Sequence, residues 1–464
     1  MNYKKNIDVI KNSVIKDLQG WVKLGSVYDA NTVSNKKPFG DGVAKALEYI
    51  ALLAKKDGFK VDTCDGYVTE ITYDLKKDKT IMVFGHADVV PVGNGWSYPP
   101  FGAVIENNVI YGRGVSDDKG PTMAAYYALK LIKELNISLN SNIKIVVGGN
   151  EENGSACLDY YFNKLKRPHP TYGFTPDAEF PLIYGEKGIL NYVYSGNYED
   201  EIIESLNGGV AANSVPDTAT AVFKKVLNLE QEFVNFLKEE KLDGNYKNNE
   251  DGKTLIEIKG KAAHGSMPML GVNALSKLLK FISIYTKSSV AKHFADVFSD
   301  YYGKNLKIAY SGPTMGELTM NLGIGEYLNN EYKFILNIRY PIEVNSSEMI
   351  KELDKAIFHF GKCLGDSKPL YIDPQSKLIS TLLEVYQRIS GDYETKPMTI
   401  GGGTYARNTI NTVAYGMDFL THKGNGSGNI HTINEGLNID DLLLGIEIYL
   451  EALLALGNLK DETA

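Results

Sequence analysis

The sequence predicts an α/β fold: a domain with a mixed central sheet flanked by helices, interrupted in sequence by a large inserted α+β domain. Three observations predict it. Short apolar runs rich in β-branched or aromatic residues end in glycine or proline and then in acids or histidines, as strands do when their carboxyl ends meet a crevice. Helical spacings alternate with those runs up to Asp177 and again after Asp373-Pro374. Between residues 187 and 373 the rhythm changes to β-rich stretches with short helices, without a cluster of metal-type residues. The expected domains are therefore 1–186 joined with 374–464, and 187–373, the latter large enough to hold two subdomains. A chain of 464 residues is in any case too long for one ordinary core.

Each element follows from local pattern. Ile10, Val14, Leu18 and Trp21 give a helix over residues 7–24, and Val43, Leu47, Ile50 and Leu53 a second over 40–56 that closes near Gly58. Residues 59–61 and 68–73 read as a strand pair, and 80–84 as the strand leading into His86. A helix is expected over 121–135, with Pro121 at its first position, where a missing N–H leaves no bond unmade. The run 142–147 leads into Glu151, and 172–174 into Asp177. In the insert, the regular stretches are 190–194, 254–258, 272–285 and 332–338. A helix over 377–389 precedes Gly401, Gly402 and Gly403, the α/β rhythm returns over 413–419, and an apolar amphipathic helix spans 440–456.

Composition narrows the function classes. A net charge of -8 with no strongly basic run argues against a nucleic-acid partner. The three cysteines, Cys64, Cys157 and Cys363, are odd in number and scattered, so buried thiols are expected rather than a disulfide framework or a metal knuckle. The first residues carry no apolar leader and no later stretch is apolar for the length of a bilayer, so a cytoplasmic protein without a membrane partner is expected.

The chemistry lies in Gly85-His86-Ala87-Asp88, Ser116-Asp117-Asp118-Lys119-Gly120, Glu151-Glu152, Pro176-Asp177-Ala178-Glu179 and His431. Taken singly, His86 is an ordinary strand-end histidine, Asp117-Asp118 a helix cap, Glu151-Glu152 a loop charge pair and Asp177 a turn residue. Their joint order at strand ends points instead to a two-metal hydrolytic site. Two imidazoles and several carboxylates, with no sulfur, suit zinc and tolerate manganese or cobalt. Two divalent ions need a bridging carboxylate, for which Asp117 is well placed, and a shared water. Of Glu151 and Glu152, one can ligate while the other takes the water's proton. Asp88, two residues past His86, can orient the imidazole or its neighbours.

Three further features stand outside this cluster. His264, in the small-residue turn Ala262-Ala263-His264-Gly265-Ser266-Met267-Pro268, can donate to an oxyanion. The planar fork of Arg339 suits a carboxylate. Gly401, Gly402 and Gly403, followed by Thr404, let backbone N–H groups approach an anion closely.

These motifs resemble the di-zinc metallopeptidases that include carboxypeptidase G, aminoacylase, succinyl-diaminopimelate desuccinylase and the PepV-type dipeptidases, and the resemblance covers essentially the whole chain. Its sharpest carriers are Gly85-His86-Ala87-Asp88-Val89-Val90-Pro91, Tyr111-Gly112-Arg113-Gly114-Val115-Ser116-Asp117-Asp118-Lys119-Gly120 and Glu151-Glu152. Pro176-Asp177-Ala178-Glu179-Phe180-Pro181 and Gly402-Gly403-Thr404-Tyr405-Ala406-Arg407 point toward the PepV-type group. The resemblance implies a zinc-peptidase-like catalytic domain with a lid. His86 and Asp177 would hold one metal, Glu152 and His431 the other, and Asp117 would bridge them. Glu151 would be the general base and Asp88 the residue orienting His86, with Asp118 in a supporting role. His264 would stabilise the oxyanion, Asn213 and Arg339 would contact substrate from the lid, and Gly402, Gly403 and Thr404 would line the pocket for its carboxylate. Ala406 stands where glycine is common in the family.

The resemblance thus implies a metallopeptidase with two divalent ions, Zn2+ foremost and Mn2+ or Co2+ as alternatives. Its expected substrate is an unblocked dipeptide, taken by a monomer whose lid hinges near Lys187 and Asp373. One alternative is an amidohydrolase for N-acyl amino acids or succinyl-diaminopimelate. Another is a catalytically inactive protein that binds metal or peptide, against which the intact Glu151-Glu152 pair argues.

Overall fold

The apolar runs build two sheets, each with its own core. The structure, a computed structural model, describes residues 3–356 and 361–459. The chain divides into two units: Met1–Gly185, Tyr371–Met398 and Thr404–Ala464 form the first, and Glu186–Leu370 with Thr399–Gly403 the second.

The first unit is organised by a mixed sheet. Its strands run in the order Lys60–Asp62, Val68–Tyr73, Ser141–Gly148, Lys79–His86, Tyr172–Thr175, Thr412–Ala414, Ile183–Glu186. The four strands in the middle, from Ser141–Gly148 to Thr412–Ala414, are mutually parallel, and those on either side are antiparallel. Parallel strands covered on both faces read as continuous apolar runs rather than alternating ones. Ile81, Met82, Val83 and Phe84 accordingly are all wholly buried. The carboxyl ends of these strands come out together, which places His86, the turn to Glu151 and the turn to Asp177 at one edge of the sheet.

Helices Lys4–Val22, Asp41–Lys56, Lys119–Glu134, Lys377–Ser390 and Ile439–Gly457 belong to the same core. Ser376 and Asn438 cap the last two by accepting from Ile379 N and Asp440 N, satisfying donors that the first helical turn leaves open. Ile439–Gly457 packs on Lys119–Glu134 and Lys377–Ser390, and is buried along Leu442, Ile446, Leu450 and Leu453. The helix expected to open at Pro121 starts two residues earlier, at Lys119. Proline is tolerated at this third position because the first four N–H groups of a helix have no partner within it. The first bond of that ladder is Thr122 N to Asp118 O, at 2.9 Å.

The second unit carries an eight-stranded, wholly antiparallel sheet in the order Asp243–Asn248, Thr254–Lys259, Thr218–Phe223, Ile203–Gly208, Thr319–Leu328, Glu331–Tyr340, Gly188–Asn197, Gly361–Ser367. Glu230–Glu240, Ala274–Tyr285, Ser289–Phe294 and Ser346–Ala356 add their buried residues to its core. Among the described residues no helix is long and apolar enough to cross a membrane.

Candidate active site

At the carboxyl edge of the first sheet, His86 ends its strand fully buried. Its Nδ1 faces the backbone carbonyl of Asp88 at 3.0 Å, which turns Nε2 toward Asp117 Oδ1 at 2.9 Å and Asp177 Oδ2 at 3.7 Å. His431 approaches from the other side. Its Nε2 lies 2.8 Å from Asp117 Oδ2 and 3.1 Å from Glu152 Oε2. Each oxygen of Asp117 thus faces a different histidine.

Two sets of side chains converge here whose ligand atoms all lie within 4.8 Å of one another: His86, Asp117 and Asp177, and Asp117, Glu152 and His431. Asp117 is common to both. Asp118 points away, its Oδ2 accepting from His86 N at 3.1 Å and from Thr122 Oγ1 at 2.8 Å. Asp88 orients His86 through its backbone carbonyl more closely than through its carboxylate, which lies 3.5 Å from Nδ1. That carboxylate instead accepts from Glu151 N at 3.0 Å and Glu152 N at 3.1 Å, and so holds the turn bearing both glutamates.

The donor set fits divalent metal. Asp88, Asp117, Glu151, Glu152 and Asp177 surround two imidazoles, so the cluster stays net negative even with both rings charged, and buried charge of one sign demands cations or protons. Without metal, protons fill that need. Burial works against charge on His86, but Asp117 and Asp88 raise its pKa well above the ordinary value. Partial burial likewise opposes charge on His431, yet Asp117 and Glu152 lift it to about 11. Burial pushes Glu151 well up, with Glu152 and Asp117 adding to the shift against the pull of His86. Asp177 rises for the same reasons, burial first and then Asp117. Asp117 moves down: although it is buried, bonds from His431 and His86 hold it as the anion. A group of buried and half-buried carboxylates with one shared anion between two imidazoles can bind a pair of divalent ions and shuttle a proton beside them.

The remaining expected residues lie in the second unit, except Thr404. Asn213 accepts through its carbonyl from Gly265 N at 2.7 Å, and Ser214 bridges His264 in the backbone. The His264 Nδ1 lies 2.7 Å from Ser266 Oγ, and Ser266 O accepts from Thr319 Oγ1 at 3.0 Å. Thr319 stands opposite Arg339 in the sheet. Arg339 donates from Nε to Asn337 Oδ1 at 2.7 Å and from Nη1 to Gly401 O at 2.8 Å. A Cβ on Gly401 would sit 2.9 Å from Ser266 Cβ, so the glycine-rich strip, His264, Asn213 and Arg339 form one cluster within that unit. Thr404 belongs to the first unit, where its hydroxyl accepts from Ala406 N at 3.2 Å and caps a short helical turn.

Sequence reasoning missed Glu435, Arg113 and Tyr405 as parts of this region. Tyr405 is buried edge-on to His86, with ring centroids 6.1 Å apart, and its hydroxyl meets Cys157 Sγ at 2.9 Å. Glu435 and Arg113 form a buried ion pair of 2.7 Å. In the sequence Glu435 shows only as a glutamate four residues after His431, whereas Arg113 and Tyr405 lie inside motifs that carry the family resemblance without signalling a role of their own.

The chain is similar to known proteins over nearly its whole length. Residues 82–455 match the model of the family described as Peptidase family M20/M25/M40. The chain is 36% identical over 474 residues to "Putative dipeptidase SH1171" of Staphylococcus haemolyticus, covering 98% of this chain and 99% of that protein. It is 34% identical over 473 residues to "Putative dipeptidase YtjP" of Bacillus subtilis, covering 98% and 100%. Among solved structures, the fold is similar to an M20 family metallo-carboxypeptidase, Sso-CP2 of Sulfolobus solfataricus, with a TM-score of 0.59 at 19% identity over 95% of this chain and 99% of that one.

Proposed function

The chain belongs to peptidase family M20/M25/M40, and from that premise we propose that it is a metal-dependent dipeptidase acting on unblocked dipeptides through the cluster around Asp117. The observation that carries this reading is the sharing of Asp117, one oxygen toward His86 and the other toward His431, with Glu151 beside Glu152 on the turn that the Asp88 carboxylate holds.

His86, Asp117 and Asp177 would hold one divalent ion, and Asp117, Glu152 and His431 the other. When bound, such a pair polarises the scissile carbonyl and lets a water lose its proton near neutral pH. Glu151 takes that proton and returns it to the nitrogen of the leaving amine, the task of a carboxylate placed beside the attacked carbonyl. Asp88 keeps Glu151 and Glu152 at their stations through their N–H groups, and its carbonyl keeps the His86 ring turned toward Asp117. For substrate contact the support is the resemblance together with the clustering of His264, Asn213, Arg339 and the strip of Gly401, Gly402 and Gly403 in one unit. His264 is the oxyanion donor in this reading, and Arg339, Asn213, Gly402, Gly403 and Thr404 are the groups that recognise substrate.

Zinc as the resident metal, a monomeric state and a cytoplasmic setting belong to the same proposal. Replacing His264 by alanine tests the oxyanion role. Turnover should fall by about a hundredfold to a thousandfold while metal content is unchanged. Turnover within twofold of the parent in the metal-loaded variant would remove His264 from that role. A gel-filtration mass of twice the chain would overturn the monomer.

A further inference from the structure

Glu435 has no part in the chemistry above, yet it is wholly buried directly behind Asp117. Its carboxylate accepts from Arg113 Nη1 at 2.7 Å, from Gly114 N with both oxygens at 3.1 Å, from Ser116 N at 2.9 Å and from Asp117 N at 3.2 Å. The backbone reinforces the contact: Gly112 N donates to Glu435 O at 2.9 Å, and Ser116 Oγ donates to Gly436 O at 2.7 Å. Residues 112–117 are therefore folded around one side chain. Only a carboxylate offers acceptor sites on both oxygens for so many donors. The neighbouring Asn434 ties down a third segment, its Oδ1 accepting from Ser97 N at 2.8 Å. Trp96, next to Ser97, lies 5.2 Å from the Arg113 guanidinium.

The consequence is geometric. His431 and Glu435 share one short loop, and Asp117 lies at the end of the segment that Glu435 gathers. A single carboxylate, 318 residues from Asp117 in sequence, thus fixes the distance between a histidine and the carboxylate it faces. Asp88 does the same for Glu151 and Glu152. Resting on the reading of Asp117 as the shared ligand, we propose that Glu435 is a positioning residue for the two-metal site: it sets Asp117 so that its two oxygens face His86 and His431 before any metal arrives.

Glu435→Gln tests this. The amide keeps one acceptor oxygen and turns the other position into a donor, which confronts donors whichever way the amide faces. Zinc affinity, measured on the whole protein by competition with a chromophoric chelator, should weaken by about 10- to 100-fold, the usual cost of losing a group that orients a ligand. On a dipeptide, kcat should fall with KM unchanged within twofold. A folded variant whose zinc affinity and kcat both stay within twofold of the parent overturns the proposal.

A second measurement needs no variant. After metal is stripped from the parent protein, the amides of Gly114, Ser116 and Asp117 should keep their protection from hydrogen exchange. Collapse of that protection on chelation would mean that metal, and not Glu435, holds the segment, which also overturns the proposal. Failure of the parent protein to take up zinc, manganese or cobalt would overturn the reading of the site itself, and this role with it.

Discussion

In the proposed mechanism turnover depends on Glu151, and its surroundings support that role. It adjoins the proposed ligand Glu152 on the turn that the Asp88 carboxylate holds, and a carboxylate there can accept a proton from water and give it up again. Glu151→Gln keeps the volume and removes the base. Turnover should fall by about a hundredfold to ten-thousandfold, with zinc content by metal analysis equal to that of the parent. Near-normal turnover of a metal-loaded variant would remove Glu151 from the role. Asp88→Asn addresses the neighbouring bonds. One of the two N–H groups at Glu151 and Glu152 would meet an amide NH2, and metal affinity should drop by about tenfold or more. Unchanged affinity in a titration would show that the turn holds itself. At this scale the sequence is legible where a side chain follows an apolar run, as His86, Glu151 and Asp177 do. It is silent where the partner is a backbone N–H. Nothing in His86-Ala87-Asp88 tells that the Asp88 carboxylate reaches a turn 63 residues away.

The elements that carry these residues are packed with little slack. Gly85 is a point of close approach: a Cβ there would come within 1.8 Å of Thr122 Oγ1 and 3.0 Å of Asp118 Oδ2. Gly85→Ala would push the His86 strand off the helix Lys119–Glu134. It should lower stability by about 1–3 kcal/mol in urea unfolding, the range of overpacked cores. A change under about 0.5 kcal/mol, the range of neutral surface substitutions, would mean that the contact yields freely. The thiols test burial by pH. Burial pushes both Cys64 and Cys157 up to about 12, and only the thiolate is alkylated. Both should resist iodoacetamide at pH 9 in the native protein and react in denaturant, where an ordinary thiol of pKa about 8.5 is largely ionised. Rapid native labelling of Cys157 would contradict its packing against Tyr405.

Helix and strand existence is readable from spacing, since the runs 80–84 and 142–147 lie inside the strands Lys79–His86 and Ser141–Gly148. The start of the third helix is misread because Pro121 is allowed at more than one position of a first turn. The Glu435 tie is unreadable because an acid after a histidine has no spacing that names a partner 322 residues away at Arg113.

At the scale of the whole molecule, family membership and site agree. An M20-type chain, similar over nearly its full length to relatives named as dipeptidases, carries two imidazole and carboxylate sets joined at one aspartate. The alternative enzymes differ in substrate, not in metal chemistry, so they are separated by assay. The order of the ligands along the chain is visible in the sequence. Their convergence is not, because it depends on a sheet whose strand order departs from chain order. The most direct test strips the protein of metal and assays it on unblocked dipeptides beside N-acetyl and N-succinyl amino acids, before and after zinc, manganese or cobalt is returned. Hydrolysis of unblocked dipeptides should vanish on stripping and return with at least one of the three ions. Activity that survives stripping, faster turnover of the blocked substrates, or no hydrolysis with any of the three ions would contradict a metal-dependent dipeptidase.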